Sequence, residues 1–341
     1  MLYGYYEQSG NPFRSGALTE LKEFLSRMDL SYDEGIEYTV AIRDGNSRIV
    51  ACASLQENVI KCVAVDPSLQ GEGITATLMT ALKREALERG HRHLFLYTKP
   101  ENAAQFAGIG FHEIVHTDSV LLMENRRGGF DSWIESVRCK TAQGCIGAAV
   151  MNCNPMTNGH LYLIEQAAAQ CDTLYLFIVS EDKSAVPAQD RKNIVKEATA
   201  HLNNVHVVQT GRYLISSATF PDYFIKDKSR SGSVWTQLDI AVFCRVAQAL
   251  GITKRFVGSE PFCPTTNAYN TAMAQSLPQA GIEFIQFPRF EQDGTAISAT
   301  AVRTLVSQGN WQGTQGLVPD ATWNYLSNEH NREIMLRRMA T

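Results

Sequence analysis

No stretch of the sequence approaches the roughly 18 consecutive apolar residues that a membrane-spanning helix needs. The opening residues, MLYGYYEQSGNPFRSG, contain neither a basic n-region nor an apolar h-region. A cytoplasmic chain that does not engage a membrane is therefore expected. The eight cysteines (Cys52, Cys62, Cys139, Cys145, Cys153, Cys171, Cys244 and Cys263) include no C-x-x-C pair. That spacing argues against a zinc site or a disulfide framework, and several of them lie within apolar runs, as reduced buried thiols do. Neither sign of charge is in excess: 31 Lys and Arg against 35 Asp and Glu leave a net charge of -4. A general nucleic-acid binder is excluded on that balance, while a local basic pocket for a phosphorylated small molecule is not. There is no internal repeat and no low-complexity tract.

What is present is ordinary globular material, and more of it than one hydrophobic core usually organises: 341 residues predict two domains. The clearest break is ENRRGG, Glu124 to Gly129, where charge and paired glycines follow the apolar run Val120 to Met123. We place a first domain at 1–128, a connector at 129–144 in which FDSWIESVRCKTAQG forms one short helix, and a second domain at 145–341. Both halves alternate β-type apolar runs with helical patterns, which predicts α/β architecture throughout.

In the first half, VIKCVAVDPSLQGEGITATLMTALKREALERG runs from a strand through Gln70-Gly71-Glu72-Gly73 into a helix whose buried stripe is Ile74, Leu78, Leu82 and Ala86. Gly71 and Gly73 let backbone N–H groups converge at the helix start, where an anion such as a pyrophosphate is favoured; a plain glycine turn is the competing reading. A strand-like HLFLYT and then ENAAQFAGIGF follow. Together these resemble the acyl-CoA-binding core of the GNAT acetyltransferases, with Gln70, Gly73 and Thr75 in the places of the family's pyrophosphate loop, and with Asn102 and Gly110-Phe111 matching further positions. Thr75 stands where Gly or Ala is usual, and Phe106 where many members carry the Tyr that protonates the leaving thiolate. The resemblance implies a domain that grips a CoA-like pantetheine arm through Gln70, Gly71, Gly73 and Asn102 without performing acetyl transfer.

In the second half, GAAVMNCNPMTNGHLYLIEQAA reads as strand, loop and helix, with a buried stripe of Leu161, Ile164, Ala168 and Cys171. Loops at the carboxyl ends of parallel strands are where open α/β sheets bind ligands. Pro155 stiffens the exit from the strand, Gly159 admits close backbone approach, and Thr157 and His160 present a hydroxyl and an imidazole at the helix start. The pattern T-N-G-H resembles the first signature of the nucleotidylyltransferase superfamily, whose members cleave ATP between the α- and β-phosphates. A second element, ISATAVR, matches its later signature through Ile297, Ser298, Thr300 and Arg303, giving a helix cap, a hydroxyl and a cationic fork for phosphates. The run RFVGSEP ends in Gly258-Ser259-Glu260, either an ordinary loop or a strand end facing the same nucleotide. Arg191, at a probable helix start, is a candidate phosphate ligand, although a surface Arg is the commoner outcome. Lys226 and Lys228 are candidates for a basic loop that closes over leaving pyrophosphate, but a charge run is more often simply solvated and they are left out of the site.

A GNAT-like domain followed by a Rossmann-like, parallel-sheet nucleotidylyltransferase domain (the HIGH superfamily), with VGSEP, NPMTNGH, FPR (Phe287 to Arg289) and ISATAVR, resembles the citrate lyase ligases from about Tyr38 to Val318. The resemblance implies an enzyme that uses ATP, Mg²⁺ and acetate to acetylate the thiol of the CoA-derived prosthetic group on the citrate lyase acyl carrier protein, through acetyl adenylate. It implies catalysis by His160, Thr157, Thr300 and Arg303, and ATP binding by Asn154, Pro155, Gly159, Gly258, Glu260, Ile297 and Ser298, with Arg191 added from its place in the chain. No metal site made of protein ligands is expected. Two other readings remain: an adenylyltransferase acting on a phosphopantetheine-type acceptor, and an acetyl-CoA-dependent acetyltransferase or sensor.

Overall fold

The computed structural model describes residues 4–182, 184–214, 231–260, 263–292 and 295–340. The described residues within 1–130 and 231–241 form one compact unit, and those within 131–214 and 242–340 form the other. Residues 231–241, the start of a helix that continues to Leu250, group with the first unit.

The first unit contains β1 (Tyr6–Gly10), α1 (Ser15–Arg27), β2 (Tyr38–Arg43), β3 (Ile49–Gln56), β4 (Val59–Val65), α2 (Ile74–Glu88), β5 (Phe95–Thr98), α3 (Ala103–Ala107), β6 (His112–His116) and β7 (Leu121–Glu124). Its sheet has the order β1-β2-β3-β4-β5-β7-β6. The predicted stripe of α2 is buried, with Met79 and Ala81 added to it. All neighbouring strands are antiparallel except β4 and β5, which run parallel and pair only at Val59 with Phe95 and Ile60 with Leu96. Beyond that short register both strands continue unpaired with each other. A cavity of about 380 Å³ opens there, lined by Val63 and Val65 from one strand and by Tyr97 and Thr98 from the other.

The second unit follows from α4 (Gly129–Val137), the expected connector helix, through β8 (Ile146–Met151), α5 (Asn158–Ala168), β9 (Thr173–Ile178), α6 (Ala188–Ala198), β10 (Val205–Gln209), α7 (Ser231–Leu250), whose residues up to 241 group with the first unit, β11 (Lys254–Gly258), α8 (Pro264–Ser276) and β12 (Glu283–Phe287). A short hairpin of β13 (Glu291–Gln292) and β14 (Thr295–Ala296) precedes α9 (Ala299–Ser307), α10 (Trp311–Gln315), α11 (Asp320–Ser327) and α12 (Glu329–Ala340). The five-stranded sheet has the order β10-β9-β8-β11-β12 and every pair in it is parallel. Gly147 of β8 has no room for a side chain: a Cβ there would lie 2.4 Å from the Phe256 ring of the adjacent strand. On α5 the buried residues are Ile164, Ala167 and Ala168, while Leu161 and Cys171 pack only partly, so the buried stripe is rotated slightly from the predicted one.

From β8 the chain steps to β9 and β10 on one side, then returns to place β11 and β12 on the other. The strand order therefore reverses between β8 and β11. Crevices beyond the carboxyl ends of strands at such a reversal are where open parallel sheets bind ligands.

Candidate active site

Both sequence signatures lie at that reversal. Thr157 caps α5 from an extended conformation: its Oγ1 accepts the backbone N–H of His160 at 3.4 Å, and its own N–H donates to His160 Nδ1 at 3.0 Å. These two bonds close a reciprocal capping box in which histidine takes the role usually played by Glu or Gln. Thr157 Oγ1 also lies 2.8 Å from Nδ1. Because Nδ1 is an acceptor, the proton of the neutral ring resides on Nε2, leaving that nitrogen as a donor. Burial and, secondarily, the charge of Arg289 push the His160 pKa down to about 4. The ring is thus a neutral hydrogen-bond donor at the start of an eleven-residue helix, where the helix dipole also favours an anion.

The second signature meets the first through backbone. A Cβ added at Gly159 would touch the Ile297 carbonyl oxygen and Thr157 Oγ1, each at 3.6 Å, which places the ISAT segment directly against the start of α5. Ser298 caps α9 by accepting the Ala301 N–H at 3.0 Å, as the sequence predicts. Arg303 donates through Nη1 to the Asn154 carbonyl at 2.6 Å and through Nη2 to Thr300 Oγ1 at 2.9 Å. One arginine on α9 thereby joins the loop after β8 to its own helix start.

The Asn154–Pro155 peptide bond is cis. Asn154 has a structural partner as well, its Oδ1 accepting the Val186 N–H at 2.9 Å. Gly258 closes β11 with its carbonyl accepting from Asn270 at 3.0 Å, and a Cβ there would come within 3.1 Å of Leu163 on α5. Glu260 receives Arg289 Nη1 at 2.6 Å, while Arg289 Nη2 reaches the Ile297 carbonyl at 3.4 Å. Arg289 belongs to the FPR stretch, whose sequence alone does not single it out as a site residue. Arg289 lies two residues past β12, the strand that pairs with the Gly258 strand.

Arg191 requires a correction. Its side chain is 0% exposed, and its guanidinium donates to the carbonyls of Val186 (3.0 Å), Asn152 (2.8 Å) and Glu181 (2.6 Å) and to Asn152 Oδ1 (2.5 Å). A buried guanidinium that donates to four acceptors ties loop segments together and keeps at most one N–H for any other partner. Lys226 and Lys228 lie outside the described residues. Among the described residues no group of three His, Cys, Asp or Glu is arranged to hold a metal ion, and no helix is long and apolar enough to cross a membrane.

The first unit gathers its own set. Gly71 (φ +91°) and Gly73 (φ +73°) have left-handed backbones that favour glycine, and Gly73 caps α2 with open space beside it. Gln70 and Asn102 line the cavity between β4 and β5, where Asn102 Nδ2 donates to Thr98 Oγ1 at 2.9 Å. Thr75, another lining residue, accepts from Gln105 at 2.9 Å. Phe106 is buried, edge-on to Phe111 with ring centres 6.4 Å apart. Arg27 and Lys99 also line the cavity and were not singled out from the sequence.

The family model of the citrate lyase ligase C-terminal domain matches residues 146–326, and that of the GNAT acetyltransferases matches 4–113. The citrate (pro-3S)-lyase ligase of Klebsiella pneumoniae is 42% identical over 313 residues, which cover 90% of this chain and 91% of that protein. The chain belongs to the citrate lyase ligase family. A second citrate lyase ligase, from Escherichia coli K12, is 41% identical over 335 residues, 95% of each chain. The phosphopantetheine adenylyltransferase of a Streptococcus pneumoniae strain shares 38% identity, but only over 72 residues, 20% of this chain and 44% of that protein. Within the ligase family, then, the antiparallel-rich first unit is the GNAT domain, and the parallel five-stranded sheet belongs to the nucleotidyltransferase-like domain.

Proposed function

We propose that this chain activates acetate with ATP and transfers the acetyl group to the thiol of the CoA-derived prosthetic group on the citrate lyase acyl carrier protein, releasing AMP and pyrophosphate. The observation that carries this reading is the convergence of two capped helix starts, those of α5 and α9, at the strand-order reversal, with His160 Nε2 as a donor and Arg303 fixed between them. Family membership over nearly the whole length supports the named substrates.

In this reading a carboxylate oxygen of acetate attacks the α-phosphorus of ATP, the bond to the bridging oxygen breaks, and pyrophosphate leaves with the electron pair. The thiolate of the carrier arm then attacks the carbonyl of acetyl adenylate and AMP departs. The protein supplies alignment and charge stabilisation: His160 Nε2–H, Thr300 and Arg303 donate to the phosphate oxygens as negative charge shifts toward the leaving group, and Thr157 holds the imidazole in the required tautomer. Asn154, Pro155, Gly159, Gly258, Ile297 and Ser298 shape the nucleotide crevice. Mg²⁺ would be held mainly by the nucleotide's own phosphates, since the described residues offer no carboxylate cage, and there it would neutralise phosphate charge. No nucleophile on the enzyme is needed in this route, because the acetyl group passes directly from the adenylate to the carrier thiol.

ATP–pyrophosphate exchange by the purified protein with Mg²⁺, in the absence of any carrier, is expected only when acetate is present. Exchange that ignored acetate but needed a pantetheine phosphate would replace this reading with adenylyl transfer to that acceptor.

The GNAT unit is assigned the carrier's pantetheine arm, bound in the cavity between β4 and β5 with its phosphates at Gln70, Gly71 and Gly73 and with Asn102 on the wall. Phe106 provides no acid for acetyl transfer from CoA. Gly73→Arg should weaken apparent affinity for the loaded carrier by about tenfold while leaving acetate-dependent exchange intact. Unchanged carrier affinity would remove this role.

A further inference from the structure

The Glu260–Arg289 pair occupies an unusual place for an ion pair. It bridges the loops after β11 and β12, at the carboxyl ends of neighbouring strands, beside the helix start that carries His160. The segment bearing Arg289 is anchored independently of Glu260. Phe290 stacks on Tyr162 of α5 with ring centres 5.0 Å apart, and Arg289 Nη2 holds the Ile297 carbonyl, which also abuts Gly159. If Glu260 let go, the guanidinium would remain at the crevice. Both partners are also partly exposed, at 35% for the Glu260 side chain and 19% for Arg289, so separating them does not strand a charge in a dry interior.

We infer that Glu260 and Arg289 form an exchangeable clasp, in which Arg289 leaves the Glu260 carboxylate for the β- and γ-phosphates of bound ATP and returns to it as pyrophosphate departs. The inference rests on the nucleotide reading of this crevice. A guanidinium presents five N–H donors in a planar fork and binds phosphate oxygens as readily as a carboxylate. A carboxylate at that spot repels a triphosphate unless it is paired, so Glu260 acts against phosphate binding and competes for the same cation. Its usefulness lies on the product side: by drawing Arg289 back, it loosens the pyrophosphate that the forward reaction must release. The charge of Arg289 near the imidazole, one of the two causes that lower the His160 pKa, agrees with this placement.

Removing either member of an ordinary structural pair weakens the site in the same direction, whereas the clasp demands opposite signs. Binding of ATP and, separately, of inorganic pyrophosphate would be measured by titration calorimetry with Mg²⁺ on Glu260→Gln, Arg289→Gln and Arg289→Lys, with circular dichroism confirming that each is folded. The expected result is at least threefold tighter binding of both ligands by Glu260→Gln, accompanied by slower turnover, and at least tenfold weaker binding by Arg289→Gln, partly restored in Arg289→Lys. Binding by Glu260→Gln equal to or weaker than that of the wild type, or unchanged affinity in Arg289→Gln, overturns the clasp while leaving the nucleotide site in place. Failure of the wild-type protein to bind ATP removes the nucleotide reading and the clasp together.

Discussion

Replacing His160 by Ala should lower acetate-dependent ATP–pyrophosphate exchange by about 100- to 1000-fold, the scale of losing one donor preorganised toward developing charge. The stability cost should be modest, about 1 kcal/mol, because the substitution removes one half of the capping box while Thr157 Oγ1 still receives the backbone N–H of residue 160. The sign of the pH effect follows from the depressed pKa. The folded protein keeps the ring neutral down to about pH 4, whereas the unfolded chain protonates it near 6.5. As pH falls from 6.5 toward 4, the unfolded state takes up a proton that the fold refuses, so this residue costs the wild type stability in that window, and His160→Ala should relieve that loss. Exchange rates and denaturation midpoints at pH 5 and pH 7.5 test both parts. A variant with near-wild-type exchange would remove His160 from catalysis.

The largest stability loss should come from Arg191, the residue that the sequence placed at the nucleotide and the structure places inside. Arg191→Leu leaves the carbonyls of Val186, Asn152 and Glu181 and the Asn152 side chain without their donor, and should cost about 3–5 kcal/mol in chemical denaturation. Arg191→Lys should recover little of it, because a single ammonium cannot span acceptors arranged around a planar fork. A lysine variant of unchanged stability but raised KM for ATP would return Arg191 to the ligand-binding set.

These two residues also mark how far the sequence could be read. His160 and Thr157 lie three positions apart, and their capping box is a local structure that T-N-G-H nearly specifies. The same holds for Ser298 at the start of α9, and for the glycine turn ahead of α2, whose positive φ angles only glycine adopts readily. The order of apolar runs and helices was enough for two α/β folds. Arg191 and Arg289 were beyond that method, since an arginine's role depends on what surrounds its far end. Glu260 meets Arg289 across 29 positions, and Asn152 meets Arg191 across 39. Nothing in the local pattern of PAQDRKNIV separates a guanidinium directed inward from one directed at a ligand. The grouping of 231–241 with the first unit is equally illegible, because α7 reads as one uninterrupted helix while its earlier and later residues fall in different units.

That shared helix limits how the protein can be dissected. Its buried Trp235 lies edge-on to Tyr97 of β5, with ring centres 6.1 Å apart, and Tyr97 is a wall of the GNAT cavity. The chain is in the second unit after residue 130, in the first at 231–241, and in the second again from 242. No single scission separates the halves. A recombinant fragment ending at 130 would lack the tryptophan that covers Tyr97, and the complementary fragment would expose that indole to solvent. Expression of the first half would therefore call for carrying residues 231–241 along with 1–130.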